Sequence, residues 1–222
     1  MDRRLPRLTL RAALLGAAVA LAVPLFGCTK LLTTVVYLAR GTDTPADYKG
    51  LNDKKVVVVC RPLTELTFSC SGAANELAAE VGRQLKAHLG RKIKIVDPDE
   101  VAGWTDEHGV EDYVEIGRNL EADVVLGIDL LNFNTLLGQT LLQGKAQVKV
   151  VVYDIKNDGD IVYQKLPPQV IYPLNNGIPT QDMPEDEFRR KYISVLADEI
   201  GRLFYPHDHF ARYARGSSSL ED

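Results

Sequence analysis

The stretch KKVVVVC, residues 54–60, is the clearest indication of the architecture of this chain. Its four consecutive valines form a continuous β-branched run, which is typical of a strand buried on both faces. Strands of this kind occur where helices cover both sides of a sheet. The run therefore predicts an α/β domain, with helices and further strands following along the chain.

The segments after this strand fit that prediction. Residues 72–90 place apolar side chains at intervals of four, which indicates an amphipathic helix that ends at Gly90: Leu77, Val81, Leu85 and Leu89. KIKIVD, residues 92–97, predicts a short strand. Asp97 is a suitable cap for a second helix, and Pro98 suits its first position.

The second half of the domain contains the longer elements. Residues 110–122 predict a helix, and DVVLGIDLLNF, residues 123–133, predicts another buried strand. Residues 143–155 alternate over a long stretch, turn at KNDGD and pair back through IVYQKLPPQVIYP, which indicates a β-hairpin. Pro167 and Pro168 place its second strand at an edge or interrupt it. Residues 183–205 predict a long amphipathic helix. The fold class is therefore α/β, a mixed sheet with helices packed on it.

The amino terminus has the pattern of an export signal. Residues 1–11 carry four arginines, and residues 12–27 carry no charge. This apolar stretch is short for a membrane span, which needs about 20 residues. Its last residues and the next, Leu25-Phe26-Gly27-Cys28, resemble the lipobox of bacterial lipoproteins. That resemblance implies that Cys28 is acylated, with palmitate among the acyl chains, and that residues 1–27 are removed. Alternatively, the leader stays uncleaved as an anchor, or Cys28 is coincidental.

Four regions follow from this pattern: a lipoprotein signal peptide at residues 1–27, a lipidated tether at 28–53, an α/β binding domain at 54–206 and a C-terminal tail at 207–222. Thr29 follows the cysteine, where an inner-membrane retention signal would have Asp. The expected location is therefore the outer membrane, on its periplasmic side, with the inner membrane or the cell surface as alternatives.

Charge and cysteine usage limit the possible partners. The chain has a net charge of −4, and loss of residues 1–27 leaves 22 basic and 29 acidic residues, a net charge of −7. This balance argues against binding to nucleic acid and predicts only weak attraction to anionic lipid. In an oxidising compartment, Cys60 and Cys70 either form a disulfide or remain two buried thiols.

The domain resembles one shared by several envelope proteins. The resemblance rests on KKVVVVCRPL, GAANELAAEVGRQLKAHLGRKIKIVDPDEV, YVEIGRNLEADVVLGIDLLNF and GKAQVKVVVYDIKNDGDIVYQ. It is to the amino-terminal domain of the Tol-Pal translocation protein, the curli-secretion lipoprotein and the lipoprotein activators of penicillin-binding proteins. It implies an anticodon-binding-like α/β fold and a role in binding partners, without catalytic residues or a cofactor.

Few residues suggest chemistry. His207, Asp208 and His209 stand together and could hold a metal, or they form a turn after the last helix. Asp129 interrupts an apolar strand, where it is either buried or faces solvent at the strand end. Nucleotide-binding, serine-hydrolase and zinc-protease motifs are missing from the sequence.

Two loops are candidates for a contact surface. Residues 131–142 carry apolar side chains around Gly138: Phe133, Leu136, Leu137, Leu141 and Leu142. If exposed, they would mark an interface; otherwise they close the core. Residues 169–184 form a second loop, with Tyr172.

The expected function is that of a non-catalytic accessory factor in envelope biogenesis. It would be held at the membrane by its N-terminal lipid and would bind an envelope protein. Alternatives are a subunit of an oligomeric secretion or transport assembly and a metal-binding hydrolase.

Overall fold

The computed structural model of the chain describes residues 43–62 and 67–208, with the backbone alone for residues 43 and 67–71. The predicted leader, Cys28, the first part of the predicted tether and residues 209–222 of the predicted tail, including His209, lie outside these residues. The side chain of Cys70 lies outside them as well. No helix of the described part is long and apolar enough to cross a membrane.

Nine strands and four helices make up the described chain. The strands are β1 (Asp43–Thr44), β2 (Lys54–Pro62), β3 (Ile93–Ile95), β4 (Val124–Leu137), β5 (Leu141–Asp154), β6 (Asp160–Lys165), β7 (Val170–Tyr172), β8 (Ile178–Pro179) and β9 (His207–Asp208). The helices are α1 (Thr67–Leu89), α2 (Pro98–His108), α3 (Tyr113–Asn119) and α4 (Glu185–Gly201).

Seven strands form one mixed sheet in the order β3-β2-β4-β5-β6, with β7 and β8 also paired to β5. β2 runs parallel to β3 and β4, whereas β4 and β5 form a long antiparallel hairpin. β1 and β9 form a separate pair. The predicted α/β class, a mixed sheet with helices packed on it, is confirmed.

Helices cover both faces of β2, as its valine run predicts. Val56, Val58 and Cys60 belong to the larger core cluster, which includes side chains of α1 and α4. Val57 and Val59 belong to a second cluster with side chains of α2 and α3. Alternate residues of a strand point to opposite faces, so a strand between two helical layers needs an apolar residue at every position.

The folded part of the chain begins earlier than the sequence predicted. The tether was expected to extend to Asp53, but Ala46 and Leu51 are buried. The Tyr48 ring packs against the rings of Tyr163 and Phe204, at 5.0 and 6.3 Å between centroids. Burial of these apolar side chains fixes the segment on the domain, although its polar residues resemble a linker.

Capping residues place two helix starts where the sequence signals lie. The Asp97 carboxylate accepts a hydrogen bond from the Asp99 amide at 3.0 Å, with Pro98 at the first helical position. Asp112 caps α3 in the same way, at 2.7 Å from the Val114 amide. α3 is therefore shorter than the predicted helix over residues 110–122.

The β4–β5 hairpin is longer than the sequence predicted. Residues 131–142, expected to be a loop, are mostly strand, and only residues 138–140 form the turn. The alternation of Asn132 and Asn134 with apolar residues continues the strand with one face toward solvent. The β5–β6 hairpin is confirmed, and β6 ends at Lys165, before Pro167 and Pro168.

Candidate functional site

An ion pair joins β2 and β4 near the carboxyl end of β2, where the parallel pairing of the two strands ends. Arg61 and Asp129 are opposite each other in the β2–β4 register. The Nε and Nη2 groups of Arg61 donate to Asp129 Oδ1 at 3.1 and 2.7 Å. Ligand sites of parallel sheets lie outside the carboxyl ends of the strands, and Arg61 is one residue from the end of β2, so the pair is a candidate site.

Tyr113, the first residue of α3, completes this cluster. Its hydroxyl donates to Asp129 Oδ1 at 3.0 Å, and its ring lies 4.8 Å from the Arg61 guanidinium carbon. Burial and the nearby Asp129 charge raise the pKa of Tyr113 well above its usual value. The phenol is therefore neutral and acts as a hydrogen-bond donor.

The cluster positions an element and leaves little capacity for chemistry. The remaining Arg61 group, Nη1, donates to the Glu111 carbonyl at 3.0 Å, just before α3. Gly127 lies beneath the Tyr113 ring, where an added Cβ would come within 2.9 Å of a ring carbon. Arg61, Asp129 and Gly127 therefore fix the start of α3 on the sheet.

A cleft lies along the edge of β2 that faces away from β4, between α1 and α2. It has a volume of about 240 Å³ and runs along Val58, Val59 and Cys60. β3 pairs only with Lys54–Val56. In the described part of the chain, β2 has no strand neighbour beyond Val56 on this side. The cleft therefore borders a stretch of strand edge that has no strand partner among the described residues, and the side chains of Val58, Val59 and Cys60 along it are buried.

The walls of the cleft are mainly small and apolar, with polar residues at the rim. The apolar walls come from α1, α2 and the loop after α2: Ala78, Ala79, Val101, Ala102 and Val110. The rim includes Asn75, Glu76 and Asp99. Glu76 is already paired with Arg189 of α4, at 3.1 Å. This arrangement suits an extended peptide that pairs with the strand edge and inserts a small apolar side chain.

The predicted contact residues do not form one surface. Tyr172 is buried, and its ring stacks on Phe188 at 6.3 Å, so it belongs to the core. Phe133 lies 5.6 Å from the Tyr192 ring and packs against the same core with Leu136. Leu142 is fully buried.

Leu137 is 39% exposed at the hairpin tip, and Leu141 opposite it is half-buried. A contact role for these two stays a prediction.

The predicted metal and disulfide residues lie at two other places. His207 is in β9, and its Nδ1 is 3.3 Å from the Tyr205 carbonyl oxygen. The described residues hold no group of three His, Cys, Asp or Glu side chains that could bind a metal.

Cys60 is buried in the main core. Its predicted pairing with Cys70 falls on a side chain outside the described set.

Sequence reasoning singled out Asp129 but missed its two partners. Arg61 and Tyr113 are 68 and 16 residues away from Asp129. No local motif joins the three. The available signal was weak: Arg61 follows the apolar run of one predicted strand, and Asp129 interrupts the apolar run of another.

Comparisons with known proteins gave structural likenesses only. No protein-family model and no curated protein sequence matches the chain.

Three solved structures illustrate the likeness. A PelC dodecamer from Paraburkholderia phytofirmans is 14% identical with a TM-score of 0.44, over 73% of this chain and 96% of that one. The lipoprotein GNA1162 from Neisseria meningitidis is 11% identical with a TM-score of 0.39, over 66% and 96%. The C-terminal domain of LpoB from Salmonella enterica is 13% identical with a TM-score of 0.36, over 54% and 82%. The Neisseria protein is named as a lipoprotein.

Proposed function

We propose that this protein is a lipid-anchored envelope protein that binds an extended segment of a partner protein in the cleft beside β2. The role is that of an accessory or assembly factor without catalysis. Acylation of Cys28 would hold it at the outer membrane, facing the periplasm.

One observation carries this proposal: the edge of β2 that has no strand partner in the described residues lies along an apolar cleft. Hydrogen bonds to a strand edge provide affinity in peptide recognition by strand addition, and pockets for alternate side chains provide specificity. Ala78, Ala79 and Ala102 leave room beside Val58 and Val59. The Arg61–Tyr113–Asp129 cluster holds the same strand from its other side, so the edge is presented by a rigid element.

The leader supports the location of this activity. A basic segment, an uncharged apolar segment and Leu25-Phe26-Gly27-Cys28 occur in the order of a lipoprotein signal. Two or more acyl chains anchor a protein stably, whereas one gives only marginal binding. A protein held in this way could present the cleft to proteins of the envelope.

Capture of partners from detergent-solubilised envelope tests the proposal. The full-length protein would be compared with Ala102→Trp, which fills the cleft from α2. Gly103→Trp is the matched control, because Gly103 is exposed on the same helix and its Cβ direction is open. Both variants introduce the same side chain one residue apart.

We expect Ala102→Trp to lose at least about tenfold of the captured partner and Gly103→Trp to retain it, because a filled cleft cannot admit the peptide side chain. Equal capture by both variants would remove the cleft as the binding site. Processing is tested separately by the mass of the amino-terminal peptide, which should be that of acylated Cys28.

The β6 edge favours a second candidate function, a subunit of an oligomeric assembly. β6 pairs only with β5 in the described chain, and Ile161 and Val162 are 55% and 42% exposed. Exposed apolar edge strands are templates for pairing with another chain. Light scattering of the full-length protein and of Ile161→Lys would distinguish this candidate, since only an edge-paired oligomer should dissociate on substitution.

A further inference from the structure

One end of the domain has a concentration of positive charge. A cleft of about 320 Å³ at the amino ends of β2 and β3 is lined by five cations: Lys54, Lys55, Arg91, Lys92 and Lys94. We call this surface the basic end. Only two carboxylates line the same cleft, those of Asp53 and Asp123.

One of the two lining carboxylates, Asp123, and a further carboxylate nearby, Asp154, are engaged by cations. Asp123 pairs with Lys156 at 2.7 Å and also accepts from the Lys55 amide at 2.6 Å. Asp154 lies 3.8 Å from Lys54. Arg91, Lys92 and Lys94 are exposed, and they have no ion-pair partner within the described residues. The basic end therefore has a surplus of positive charge, although the chain is acidic as a whole.

Local structure explains how Arg91, Lys92 and Lys94 come to face outward together, whereas Lys54 and Lys55 are half-buried. Gly90 follows α1 with φ +59°, and residues Gly90–Lys92 form a single 3₁₀ turn before β3. In β3 the Ile93 side chain is buried, so Lys94 points to solvent. The carboxyl end of α1 favours nearby cations, but that effect fades within one turn and does not account for Lys54, Lys55 or Lys94.

The segment before β2 is fixed both to the basic end and to the residues after α4. The Asp53 amide donates to the Lys92 carbonyl at 2.6 Å, and the Tyr48 amide donates to the Leu203 carbonyl at 2.9 Å. His88, near the end of α1, stacks on Tyr205 at 3.8 Å, beyond the end of α4. Residues 29–43 separate Cys28 from Thr44, which lies in the folded segment before β2. That length can span roughly 50 Å at most.

We propose that the basic end docks on the phosphate groups of anionic phospholipids in the membrane that holds the Cys28 lipid. This inference rests on the proposed lipid anchor and adds an orientation to it. The net charge of the chain does not oppose such docking, because charges more than about 8 Å away are screened at physiological salt. Juxtamembrane Lys and Arg side chains are attracted to anionic leaflets, whereas neutral leaflets give no such attraction.

The docking is tested by measuring the rate of lysine acetylation in the processed, acylated protein bound to lipid vesicles. The protein would be reconstituted in phosphatidylcholine alone, or with a third of the lipid as phosphatidylglycerol. An amine-reactive ester would modify exposed lysines, read by mass spectrometry. We expect Lys92 and Lys94 to react at least about threefold more slowly in the anionic vesicles. Lys191, exposed on α4, should be unchanged, and half-molar sodium chloride should remove the difference.

A pair of charge reversals provides the matched control. Arg91→Glu should abolish most of the protection of Lys92 and Lys94. Arg190→Glu, the same change at an exposed position of α4, should preserve it. Binding to the vesicles is measured by flotation in a density gradient. If the protein floats with both vesicle types and its lysines react at equal rates in both, the docking is overturned while the lipid anchor stands. Protein that floats with neither vesicle would overturn the anchor and the docking with it.

Discussion

At the scale of single residues, the Arg61–Tyr113–Asp129 cluster shows how a half-buried carboxylate is stabilised. Asp129 accepts three hydrogen bonds at one oxygen, two from the guanidinium and one from the phenol. Loss of a buried charged partner leaves the others unsatisfied, which costs more than the bond itself contributes. The carboxylate is therefore the member whose loss should matter most.

Asp129→Ala should lower the free energy of unfolding by about 2 kcal/mol, because it removes the acceptor of both Arg61 and Tyr113. Asp106→Ala, on an exposed turn of α2, should change it by less than about 0.5 kcal/mol. Urea unfolding measures both. A loss for Asp129→Ala no larger than that of the control would show that the cluster does not stabilise the fold.

Two tyrosines make a second comparison at this scale. The Tyr192 hydroxyl donates to the Val170 carbonyl at 2.9 Å, whereas the buried Tyr163 hydroxyl has no hydrogen-bond partner among the described residues. Burial, with a smaller contribution from Asp47, raises the pKa of Tyr163 to about 12.

Tyr192→Phe should therefore cost about 1 kcal/mol of unfolding free energy, and Tyr163→Phe should cost nothing or stabilise the protein slightly. Denaturant titration of the two variants side by side checks this order. The reverse order would mean that the Tyr163 hydroxyl is satisfied and the Tyr192 hydrogen bond is unimportant.

At the scale of elements, the contact between α1 and α4 depends on Glu80. Its carboxylate accepts from Arg83 and Gln84 on α1 and from Ser194 Oγ on α4 at 3.2 Å. Burial acts to raise the pKa of Glu80, but these hydrogen bonds together outweigh it, and the pKa falls below its usual 4.5.

A depressed carboxylate pKa stabilises the folded state above about pH 4.5, and this contribution is lost as pH falls through the folded-state value. Glu80→Gln should therefore be less stable than the wild-type protein near neutral pH. The difference between the two should narrow as the solution is acidified. Thermal unfolding from pH 7 to pH 3 checks the trend, and a constant difference would contradict it.

Close packing of a strand on a helix gives another prediction for elements. Gly144 of β5 lies against the Tyr192 ring, where a Cβ would come within 2.3 Å of a ring carbon. Gly144→Ala should therefore lower the unfolding free energy by about 1–3 kcal/mol through overpacking. Gly103→Ala, in open space on α2, should raise it by about 0.5–1 kcal/mol through helix propensity. Matched thermal melts measure both, and equal effects would contradict the packing argument.

The elements also show what the sequence could and could not predict. The valine run of β2 and the periodicity of α1 and α4 predicted these elements, because burial on fixed faces leaves a pattern. Their ends were less well predicted: α1 begins at Thr67 rather than at residue 72, and α4 ends at Gly201 rather than at residue 205. The extension of β4 through Asn132 and Asn134 was missed, since a half-exposed ribbon resembles a polar loop. Contacts between distant segments, such as Arg61 with Tyr113 or α1 with α2 around the cleft, leave no local pattern.

At the scale of the whole molecule, the two ends of β2 have different surfaces. Its amino end is surrounded by the cations of the basic end, whereas its carboxyl half borders the apolar cleft. In our account the first surface faces the membrane and the second receives a partner. The net charge of the chain conceals this division, because it averages over both ends.

The most direct test of this account is site-specific photo-crosslinking in living cells, with a photoreactive residue at position 102 or at position 103. Position 102 lines the cleft and position 103 faces solvent on the same helix. The account predicts a discrete crosslinked envelope protein from position 102, lost when Cys28→Ser prevents anchoring, and none from position 103. No adduct from position 102, or the same adducts from both positions, would contradict it.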